Sequence, residues 1–504
     1  MKKRRMISVL IVILVFIGLL LFQVANWVPS AFGDIPFEQV LFHIMVPMDG
    51  ADSAVLDSFV SECLPMPIIV SCILLLLLMI SDWKTSVDIK NGELQHKTNC
   101  ILIVISSICC LIVYVFGITD CIYAVGIDEY WYNVMHPSNI YEKYYVDPSS
   151  VNYTFPETKR NLVYIFMESM ETTYEDTAHG GYFEESLIPE LTELSENNLT
   201  FTNGDYSNNG FYAPAMSGWT AAALVGQTSG VPLNTPAGAN SYLSDKSFLP
   251  GAYTLGDLLE DNGYQNEILL GSDAKFGGRA YYFNLHGNYK IVDYYSAVEN
   301  GWIDKDYYVW WGYEDLKLFE FAKNELTNLA ASGQPFNFNM LTADTHFVGG
   351  YPCEECEDLY GDNYSNVIRC SSKHVTALVE WIQQQDWYAN TTIVLAGDHK
   401  SMDNDWFKAI EDSGYDRKVY YTIVNPTISP ATQNSRTVST YDLYPTTVAS
   451  LGITYDSPRL GLGTNLFTDT PTVVEEIGYK KLNKQTMMHS NYYDKYILYG
   501  KSKE

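Results

Sequence analysis

Three long apolar runs lie within the first 119 residues of this 504-residue chain. The run from Ile7 to Val24 is long enough, at about 1.5 Å per helical residue, to cross most of a hydrocarbon core of roughly 30 Å. Four basic residues precede it, as in a signal peptide, but no small-x-small cleavage site follows closely, so we expect it to stay as an anchor. Membrane spans are predicted at about residues 7–26, 64–83 and 100–118.

The positive charges orient these spans, because cytoplasmic loops are enriched in Lys and Arg. The loop from Pro29 to Met66 holds six Asp or Glu residues and no Lys or Arg, whereas the next loop holds Lys84, Lys90 and Lys97. Everything after residue 119 is therefore predicted to lie outside the cell, in an extracellular or periplasmic position. We expect a linker over 120–153, a catalytic domain over 154–470 and a C-terminal tail over 471–504.

The external part of the chain is strongly acidic. It carries 24 basic and 51 acidic side chains, a net charge of −27. Binding of nucleic acid rests largely on Lys and Arg that neutralise phosphates, so this balance excludes a nucleic-acid-binding protein. The few cysteines (9) and the ordinary content of Gly (34) and Pro (20) exclude a small disulfide scaffold and a collagen-like chain.

Cys353, Cys356 and Cys370 fall in the external part, where a disulfide can persist. We expect one bridge from Cys370 to either Cys353 or Cys356. The alternative is that the C-x-x-C pair forms half of a zinc site, which is less favoured because no second ligand pair lies nearby in the sequence.

From about Thr154 to Phe467, short apolar β-rich runs alternate with amphipathic ones, which predicts an α/β domain around a mostly parallel sheet. Ligands of such sheets bind beyond the carboxyl ends of the strands. Three predicted strands end in metal-type or acid–base side chains: 161–166 is followed by Glu168, 336–341 by Asp344 and His346, and 391–396 by Asp398 and His399.

Each of these side chains has an ordinary explanation when it is taken alone. Glu168 could be a first-turn carboxylate favoured by a helix dipole, and His346 could be a loop histidine with satisfied hydrogen bonds. Thr220 favours a functional site over these ordinary explanations, because residues 217–220 predict a glycine turn followed by an Ala-rich helix. The N–H groups at such a helix start favour an alkoxide or a bound phosphate, and a metal or base would make Thr220 a nucleophile.

In this order, these motifs resemble the phosphoglycerol transferase and lipoteichoic acid synthase family, membrane-anchored members of the sulfatase-like alkaline phosphatase superfamily. The T-x-D-T-H motif is more similar to the osmoregulated-glucan type of phosphoglycerol transferase than to lipoteichoic acid synthases. The similar segments are 161–169 (NLVYIFMES), 218–220 (GWT), 230–233 (GVPL), 271–279 (GSDAKFGGR), 342–346 (TADTH), 397–399 (GDH) and 441–447 (YDLYPTT).

The resemblance implies a site for one divalent ion. Its ligands would be Glu168, Thr220, Asp398 and His399, a set that suits Mn²⁺ or Mg²⁺ and also permits Zn²⁺. We favour Mn²⁺, chiefly from the family. Thr220 would attack the phosphorus of phosphatidylglycerol, and a hydroxyl of an envelope glycan or glycerol-phosphate acceptor would then displace it, with His346 donating or accepting the proton.

The resemblance also implies a phosphate and glycerol site. Arg279, with Lys275 nearby, would clamp the phosphate, and Asp273 would accept hydrogen bonds from the glycerol hydroxyls. A solvated charge is the more ordinary role for Lys275. Lipoteichoic acid synthases have a Trp and one more residue where this chain has Gly277 and Gly278, which leaves the nature of the acceptor open.

The same fold supports other functions. A formylglycine sulfatase needs a C/S-x-P-x-R segment, and residues 63–67 lack the Arg. A phosphoethanolamine transferase would also use a threonine nucleophile and remains an alternative, as does a phosphodiesterase or hydrolase. A non-enzymatic alternative is a silent sensor or glycan-binding module, for which the 39 tyrosines would offer stacking surfaces.

Overall fold

The structure, a computed structural model, describes residues 2–33, 35–46, 53–88, 93–202, 206, 209–236, 247–430 and 435–502. Lys90, used above to orient the spans, lies outside the described residues. The chain divides into two compact units, which are Met1–Phe37 with Asp52–Tyr132 and Glu38–Ala51 with Asn133–Glu504. We refer to the first, which contains the predicted spans, as the membrane unit and to the second, which contains the predicted catalytic domain, as the catalytic unit.

The described α-helices are α1 Lys2–Phe32, α2 Phe37–Met45, α3 Ser53–Cys63, α4 Pro65–Asp88, α5 Glu93–Ala124, α6 Ile127–Met135, α7 Ile140–Tyr144, α8 Pro189–Glu196, α9 Thr220–Ser229, α10 Leu255–Glu260, α11 Arg279–Leu285, α12 Tyr294–Glu299, α13 Asp315–Ala331, α14 Asn363–Gln383, α15 Asn404–Asp412, α16 Leu443–Ser450, α17 Val473–Ile477 and α18 Tyr479–Met487. The described strands are β1 Tyr153–Thr154, β2 Asn161–Met167, β3 Phe211–Tyr212, β4 Gln265–Leu270, β5 Lys290–Val292, β6 Phe336–Leu341, β7 Thr391–Gly397, β8 Tyr421–Val424, β9 Val438–Ser439, β10 Thr454–Tyr455, β11 Arg459–Leu460 and β12 Gly463–Thr464.

Among the described residues of the membrane unit, three helical stretches are long and apolar enough to cross a membrane: Met6–Phe32, Leu56–Ile80 and Val104–Ala124. They agree in number and order with the predicted spans, although the second begins earlier than expected. A Cβ on Gly117 of α5 would collide with the carbonyl oxygen of Gly18 on α1, so small residues let these two helices approach closely. The chain is thus a multi-pass membrane protein.

The catalytic unit is built on a six-stranded sheet of order β5-β4-β6-β2-β7-β8. Its neighbouring strands pair in parallel except β8, which is antiparallel to β7. This confirms the predicted α/β fold with a mostly parallel sheet. Strand β2 is buried along its whole length, as expected for a central strand with both faces covered.

Alternate residues of β2 face two separate hydrophobic clusters. Leu162, Tyr164 and Phe166 lie in a cluster that also includes residues of α9 and α16. Val163 and Ile165 lie in a cluster that includes residues of α13 and α14. The helices therefore form one layer on each face of the sheet.

The catalytic unit extends beyond the boundaries predicted from the sequence. Tyr141, in the predicted linker, and Leu482, Tyr493 and Ile497, in the predicted tail, are buried in the same hydrophobic cluster as β2. The tyrosine-rich tail looks polar in the sequence, but its rings supply apolar area that the core buries. Both segments thus contribute to the unit that carries the site.

Candidate active site

Glu168, Asp398 and His399 meet beyond the carboxyl ends of β2 and β7. The register pairs Met167 with Gly397, so the residues that follow leave the sheet side by side. All three side chains are buried, and their ligand atoms lie within 4.8 Å of one another. His399 Nε2 is 3.7 Å from Glu168 Oε1 and 3.4 Å from Asp398 Oδ2.

Thr220 joins this cluster from the first residue of α9. Its Oγ1 lies 3.4 Å from Glu168 Oε2 and 3.3 Å from His399 Nε2. The helix begins there because Trp219 has extended backbone angles (φ −139°, ψ 159°) and a run of alanines follows. Gln227 Nε2, further along α9, donates to the carbonyl oxygen of Gly397 over 2.9 Å and so fixes the helix against β7.

Hydrogen bonds orient each member of the cluster. Asp398 Oδ1 accepts from the backbone N–H of Ser169 (2.9 Å) and of His399 (2.7 Å), and Ser169 Oγ donates to Glu168 Oε1 (2.8 Å). His399 Nδ1 lies 2.8 Å from the carbonyl oxygen of Lys400. Because a carbonyl only accepts, Nδ1 carries the proton and Nε2 presents its lone pair to the cluster.

The electrostatics of the cluster favour a cation. Burial, together with the charge of Glu168, raises the pKa of Asp398 to about 7. Burial would lower the pKa of His399, but the carboxylates of Asp398 and Glu168 outweigh it and raise that pKa. Asp398 Oδ2 is buried and has no hydrogen-bond partner within the described structure. Two crowded carboxylates and an orphaned oxygen suit a divalent ion.

Arg279 starts α11 after two glycines with positive φ, Gly277 (65°) and Gly278 (71°). Its Nη2 donates to the carbonyl oxygen of Asp273 (2.6 Å), and its Nε donates to that of Phe276 (2.9 Å). Burial lowers the pKa of Arg279 to about 10, so the side chain stays charged at neutral pH. A Cβ on Gly277 would lie 3.7 Å from Ala221 Cβ, which places this loop beside the start of α9.

The other two predicted substrate residues differ in exposure. Asp273 is buried, and its Oδ1 accepts from the backbone N–H of Lys275 over 2.8 Å. Lys275 is exposed to solvent. The structure therefore brings Asp273 and Arg279 together in one loop and leaves Lys275 at its outer edge.

His346 is half-buried and packs among aromatic rings rather than in the metal-type cluster. Its ring centroid lies 4.6 Å from that of Trp311 and 4.8 Å from that of Phe347. Its loop is tied to the cluster through Thr345, whose Oγ1 donates to the carbonyl oxygen of Glu168 over 2.5 Å. Asp315, which the sequence did not single out, accepts the backbone N–H groups of residues 343 and 344 and shapes this loop.

The sequence also missed the contribution of α2 to this region. Phe42 is fully buried, and its ring centroid lies 5.8 Å from that of Trp219 and 6.4 Å from that of Phe248. Val46 Cγ1 would lie 3.5 Å from a Cβ on Gly278. Trp219 and Gly278, which directly precede Thr220 and Arg279, are thus both in contact with the segment that holds Phe42 and Val46. This segment lies more than 170 positions earlier in the chain. The i, i+4 spacing of Phe42 and Val46 is the one signal that could have indicated a packed face.

A disulfide joins Cys356 to Cys370 and confirms the predicted bridge from Cys370. Cys353 keeps a free thiol, with Sγ 3.5 Å from Cys356 Sγ and 3.7 Å from Cys370 Sγ. The bridge ties α14 to the loop that follows His346.

Comparisons with known proteins agree with this architecture. The sulfatase family model matches residues 160–453. Phosphoglycerol transferase I of Escherichia coli O139:H28 is 32% identical over 274 residues, which cover 53% of this chain and 34% of the relative. That of Xanthomonas campestris is 34% identical over 261 residues, which cover 49% and 35%. The aligned segment thus spans about a third of the length of these relatives.

Two solved structures are also similar. The lipoteichoic acid synthase LtaP from Listeria monocytogenes has a TM-score of 0.48 and 16% identity, covering 65% of this chain and 81% of that one. The phosphoethanolamine transferase EptA from Neisseria meningitidis has a TM-score of 0.47 and 13% identity, covering 96% and 87%. Because the family model matches more than half of its length, this chain belongs to the sulfatase family.

Proposed function

We propose that the chain is a membrane-anchored, metal-dependent phosphoglycerol transferase that moves glycerol phosphate from phosphatidylglycerol to an acceptor hydroxyl. The acceptor would be an envelope glycan or a polyglycerol phosphate. One observation carries the proposal: the Thr220 hydroxyl lies 3.3–3.4 Å from His399 Nε2 and Glu168 Oε2, inside a cluster suited to a divalent ion. Similarity to phosphoglycerol transferase I supports the choice of substrate.

Glu168, Thr220, Asp398 and His399 would hold the ion. Two carboxylates, one imidazole and one hydroxyl suit Mn²⁺ or Mg²⁺ and permit Zn²⁺, and we favour Mn²⁺ from the family. When bound, the ion would lower the pKa of the Thr220 hydroxyl and stabilise charge on the phosphoryl oxygens.

The chain's own residues would then carry two in-line displacements. Thr220 Oγ1 loses its proton and attacks phosphorus, the bond to the diacylglycerol oxygen breaks, and diacylglycerol leaves with a proton. Glycerophospho-Thr220 remains. An acceptor hydroxyl loses its proton and attacks the same phosphorus, and Thr220 recovers its hydroxyl. His346, half-buried between Trp311 and Phe347, is our candidate for donating or accepting these protons.

Arg279 would bind the phosphate. Its Nε and Nη2 are held by carbonyl oxygens of its own loop, and Nη1 has no protein acceptor within the described residues. That leaves Nη1 to donate to a phosphoryl oxygen beside the N–H groups at the start of α9. Asp273, in the same loop, would accept hydrogen bonds from the glycerol hydroxyls. The exposed position of Lys275 is compatible with a weaker contribution at the entrance.

The test detects the covalent intermediate on Thr220. The purified full chain in detergent is incubated with phosphatidylglycerol and Mn²⁺, and the Thr220 peptide is analysed by mass spectrometry while diacylglycerol is measured. A glycerol-phosphate adduct on Thr220 is expected. Thr220→Ala should abolish the adduct and the diacylglycerol, whereas Thr220→Ser, which keeps a hydroxyl, should retain both.

The same assay separates the alternatives. Diacylglycerol release without transfer to any added acceptor would indicate a hydrolase, and an adduct formed only from phosphatidylethanolamine would indicate a phosphoethanolamine transferase. Absence of any adduct and of diacylglycerol with Mn²⁺, Mg²⁺ and Zn²⁺ would refute the proposal and favour a silent binding module.

A further inference from the structure

Three cysteines and a histidine meet beside α14, outside the cluster around Thr220. Among the described residues, two groups of His, Cys, Asp and Glu side chains bring three ligand atoms within 4.8 Å of one another. One is the metal-type cluster beyond β2 and β7, and the other consists of Cys353, Cys370 and His374. We call this second group, together with Cys356, the thiol cluster. It shares no residue with the proposed active site.

Helix α14 supplies the second ligand pair that the C-x-x-C segment lacked in the sequence argument. Cys370 and His374 are four residues apart on this helix, so their side chains lie on the same face. With Cys353 and Cys356 they form the pattern C-x₂-C-x₁₃-C-x₃-H. Structural zinc sites commonly have this spacing, with two short ligand pairs separated by about 12–15 residues.

The sulfur atoms have nearly the separations that a tetrahedral ion requires. Cys353 Sγ lies 3.5 Å from Cys356 Sγ and 3.7 Å from Cys370 Sγ. Two thiolates bound at about 2.3 Å to a tetrahedral zinc ion are about 3.8 Å apart. Once the bridge between Cys356 and Cys370 is open, only small shifts are needed for the three sulfurs to share an ion.

The surroundings of the thiol cluster suit a buried structural ion. Cys353, Cys370 and His374 are 7%, 7% and 9% exposed. The His374 ring packs against that of Phe319 at 5.9 Å between centroids, and its Nε2 lies 3.1 Å from Glu355 Oε2. A carboxylate partner of this kind commonly orients a metal-binding histidine, because it fixes which ring nitrogen carries the proton.

A disulfide with one spare cysteine is the ordinary explanation of these residues. The bridge accounts for Cys356 and Cys370, but it gives no role to a third buried sulfur 3.7 Å from Cys370 or to His374. A soft metal ion would use all four side chains as tetrahedral ligands. Thiolates favour Zn²⁺ over Mn²⁺ or Mg²⁺, so this site would differ in its metal from the carboxylate-rich cluster around Thr220.

We propose that the reduced thiol cluster binds one Zn²⁺, and that the bridge between Cys356 and Cys370 is the oxidised alternative to this ion. The ligands are Cys353, Cys356, Cys370 and His374. Cysteines of a newly made chain are thiols, so the zinc form arises without a reductant. Binding replaces three thiol protons, which pass to solvent.

Oxidation of the cluster exchanges one cross-link for the other. The sulfurs of Cys356 and Cys370 give two electrons to an external disulfide, which becomes two thiols with protons from solvent. The protein S–S bond forms, and the ion is released. Either cross-link ties the loop after His346 to α14. This site does not depend on the proposed transferase function.

The test uses the full chain in detergent, stripped of metal by a chelator and reduced with a trialkylphosphine, which takes oxygen from water as the bridge becomes two thiols. Co²⁺ is the spectroscopic probe of the Zn²⁺ site. Reduced protein should give an intense thiolate-to-cobalt charge-transfer band, and Zn²⁺ should remove it. The cluster around Thr220 contains no sulfur and cannot give this band. Unreduced protein should give a much weaker one.

Variants assign the band to its ligands. Cys353→Ser should lower it by about one third, because one of three thiolates is lost, and His374→Ala should weaken Zn²⁺ binding by at least about tenfold. The matched controls are Cys121→Ser, at a half-buried cysteine of α5, and His489→Ala, at a histidine that pairs with Asp494. Both controls should behave as the wild type.

Thermal unfolding gives a second measurement in case reduction loosens the fold. Zn²⁺ should raise the Tm of the reduced wild type by more than that of reduced Cys353→Ser, because a ligand that binds the folded state stabilises it. Absence of the charge-transfer band, an equal band in Cys353→Ser or equal Tm shifts in these two proteins would overturn the proposal. Loss of the band in Cys121→Ser would also overturn it, since the thiolates would then lie elsewhere.

Discussion

Replacing Asp398 by Asn should stabilise the metal-free protein and at the same time weaken its response to Mn²⁺. Asn has the same shape, and its Oδ1 can accept the two backbone N–H groups that Asp398 Oδ1 accepts now. What disappears is a buried negative charge close to Glu168. Burial and that neighbouring charge raise the pKa of Asp398 to about 7 from a usual value of 3.8.

The magnitude follows from this shift. The pKa of Asp398 in the folded state is about three units above its value in the unfolded state. Above pH 7 the ionised carboxyl therefore lowers the free energy of unfolding by on the order of 4 kcal/mol. The cost shrinks as the pH falls below 7, because the folded state binds the proton more tightly, and it is absent below about pH 3.8. For a unit of this size, 4 kcal/mol corresponds to a Tm difference of about 5 °C.

Thermal unfolding of the full chain in detergent, with a chelator, measures the effect. At pH 8 the Asp398→Asn variant should unfold at a higher Tm than the wild type, and the difference should be smaller at pH 5. Addition of Mn²⁺ should reverse the order, because a ligand that binds only the folded state stabilises the protein that binds it. Asp442→Asn, at a buried carboxyl that accepts from Ser439 and Thr464 elsewhere in the unit, should keep the wild-type response to Mn²⁺. Equal Tm values at pH 8, or equal stabilisation of wild type and Asp398→Asn by Mn²⁺, would refute the reasoning.

Three further predictions concern the surroundings of the cluster. Arg279→Lys should lower kcat/KM for phosphatidylglycerol by about a hundredfold, because a lysine cannot bind the loop carbonyls and the phosphate at once; an unchanged value would contradict the assigned role. Phe42→Ala should lower the free energy of unfolding by about 3–5 kcal/mol, because it leaves a cavity against Trp219, and the Tm should fall accordingly. Ile44→Ala, at a position that is 75% exposed, should have little effect. Cys356→Ser combined with Cys353→Ser, so that Cys353 cannot replace Cys356 in the bridge, should lower the free energy of unfolding by about 3 kcal/mol, since the bridge closes a loop of 14 residues. A reductant should lower the Tm of the wild type but not of this variant.

The position of the metal-type cluster could be predicted from the sequence because of two simple regularities. The runs that became β2 and β7 are uninterrupted and apolar, which marks central parallel strands, and parallel strands deliver the residues after them to one edge. Glu168, Asp398 and His399 are each within two residues of such an end. The bridge from Cys370 was also predictable, because few external cysteines were available.

Other features depend on tertiary contacts that no local pattern encodes. Phe42 lies between two predicted membrane spans in the sequence, and nothing in its local sequence identifies Trp219 as its partner. The tail after residue 470 is rich in Tyr and Lys, and only the structure shows that Tyr493 and Ile497 are core residues. The resemblance of residues 271–279 implied a phosphate site, but it did not reveal that Arg279 donates to the carbonyl oxygens of Asp273 and Phe276 in its own loop.

A count of charges connects the acidic body to the proposed substrate. With the proposed divalent ion bound, the two buried carboxylates would cancel its charge, and Arg279, charged at neutral pH because burial lowers its pKa only to about 10, would leave the resting site with one positive charge. A phosphodiester such as phosphatidylglycerol carries one negative charge and would neutralise the site, whereas a phosphomonoester, with a second charge near neutral pH, would leave an excess close to Glu168 and Asp398. The same excess would face the net −27 of the external part, whose overall field would repel it. The proposed site would therefore be matched to a diester, and the membrane spans, rather than long-range attraction, would bring enzyme and lipid together.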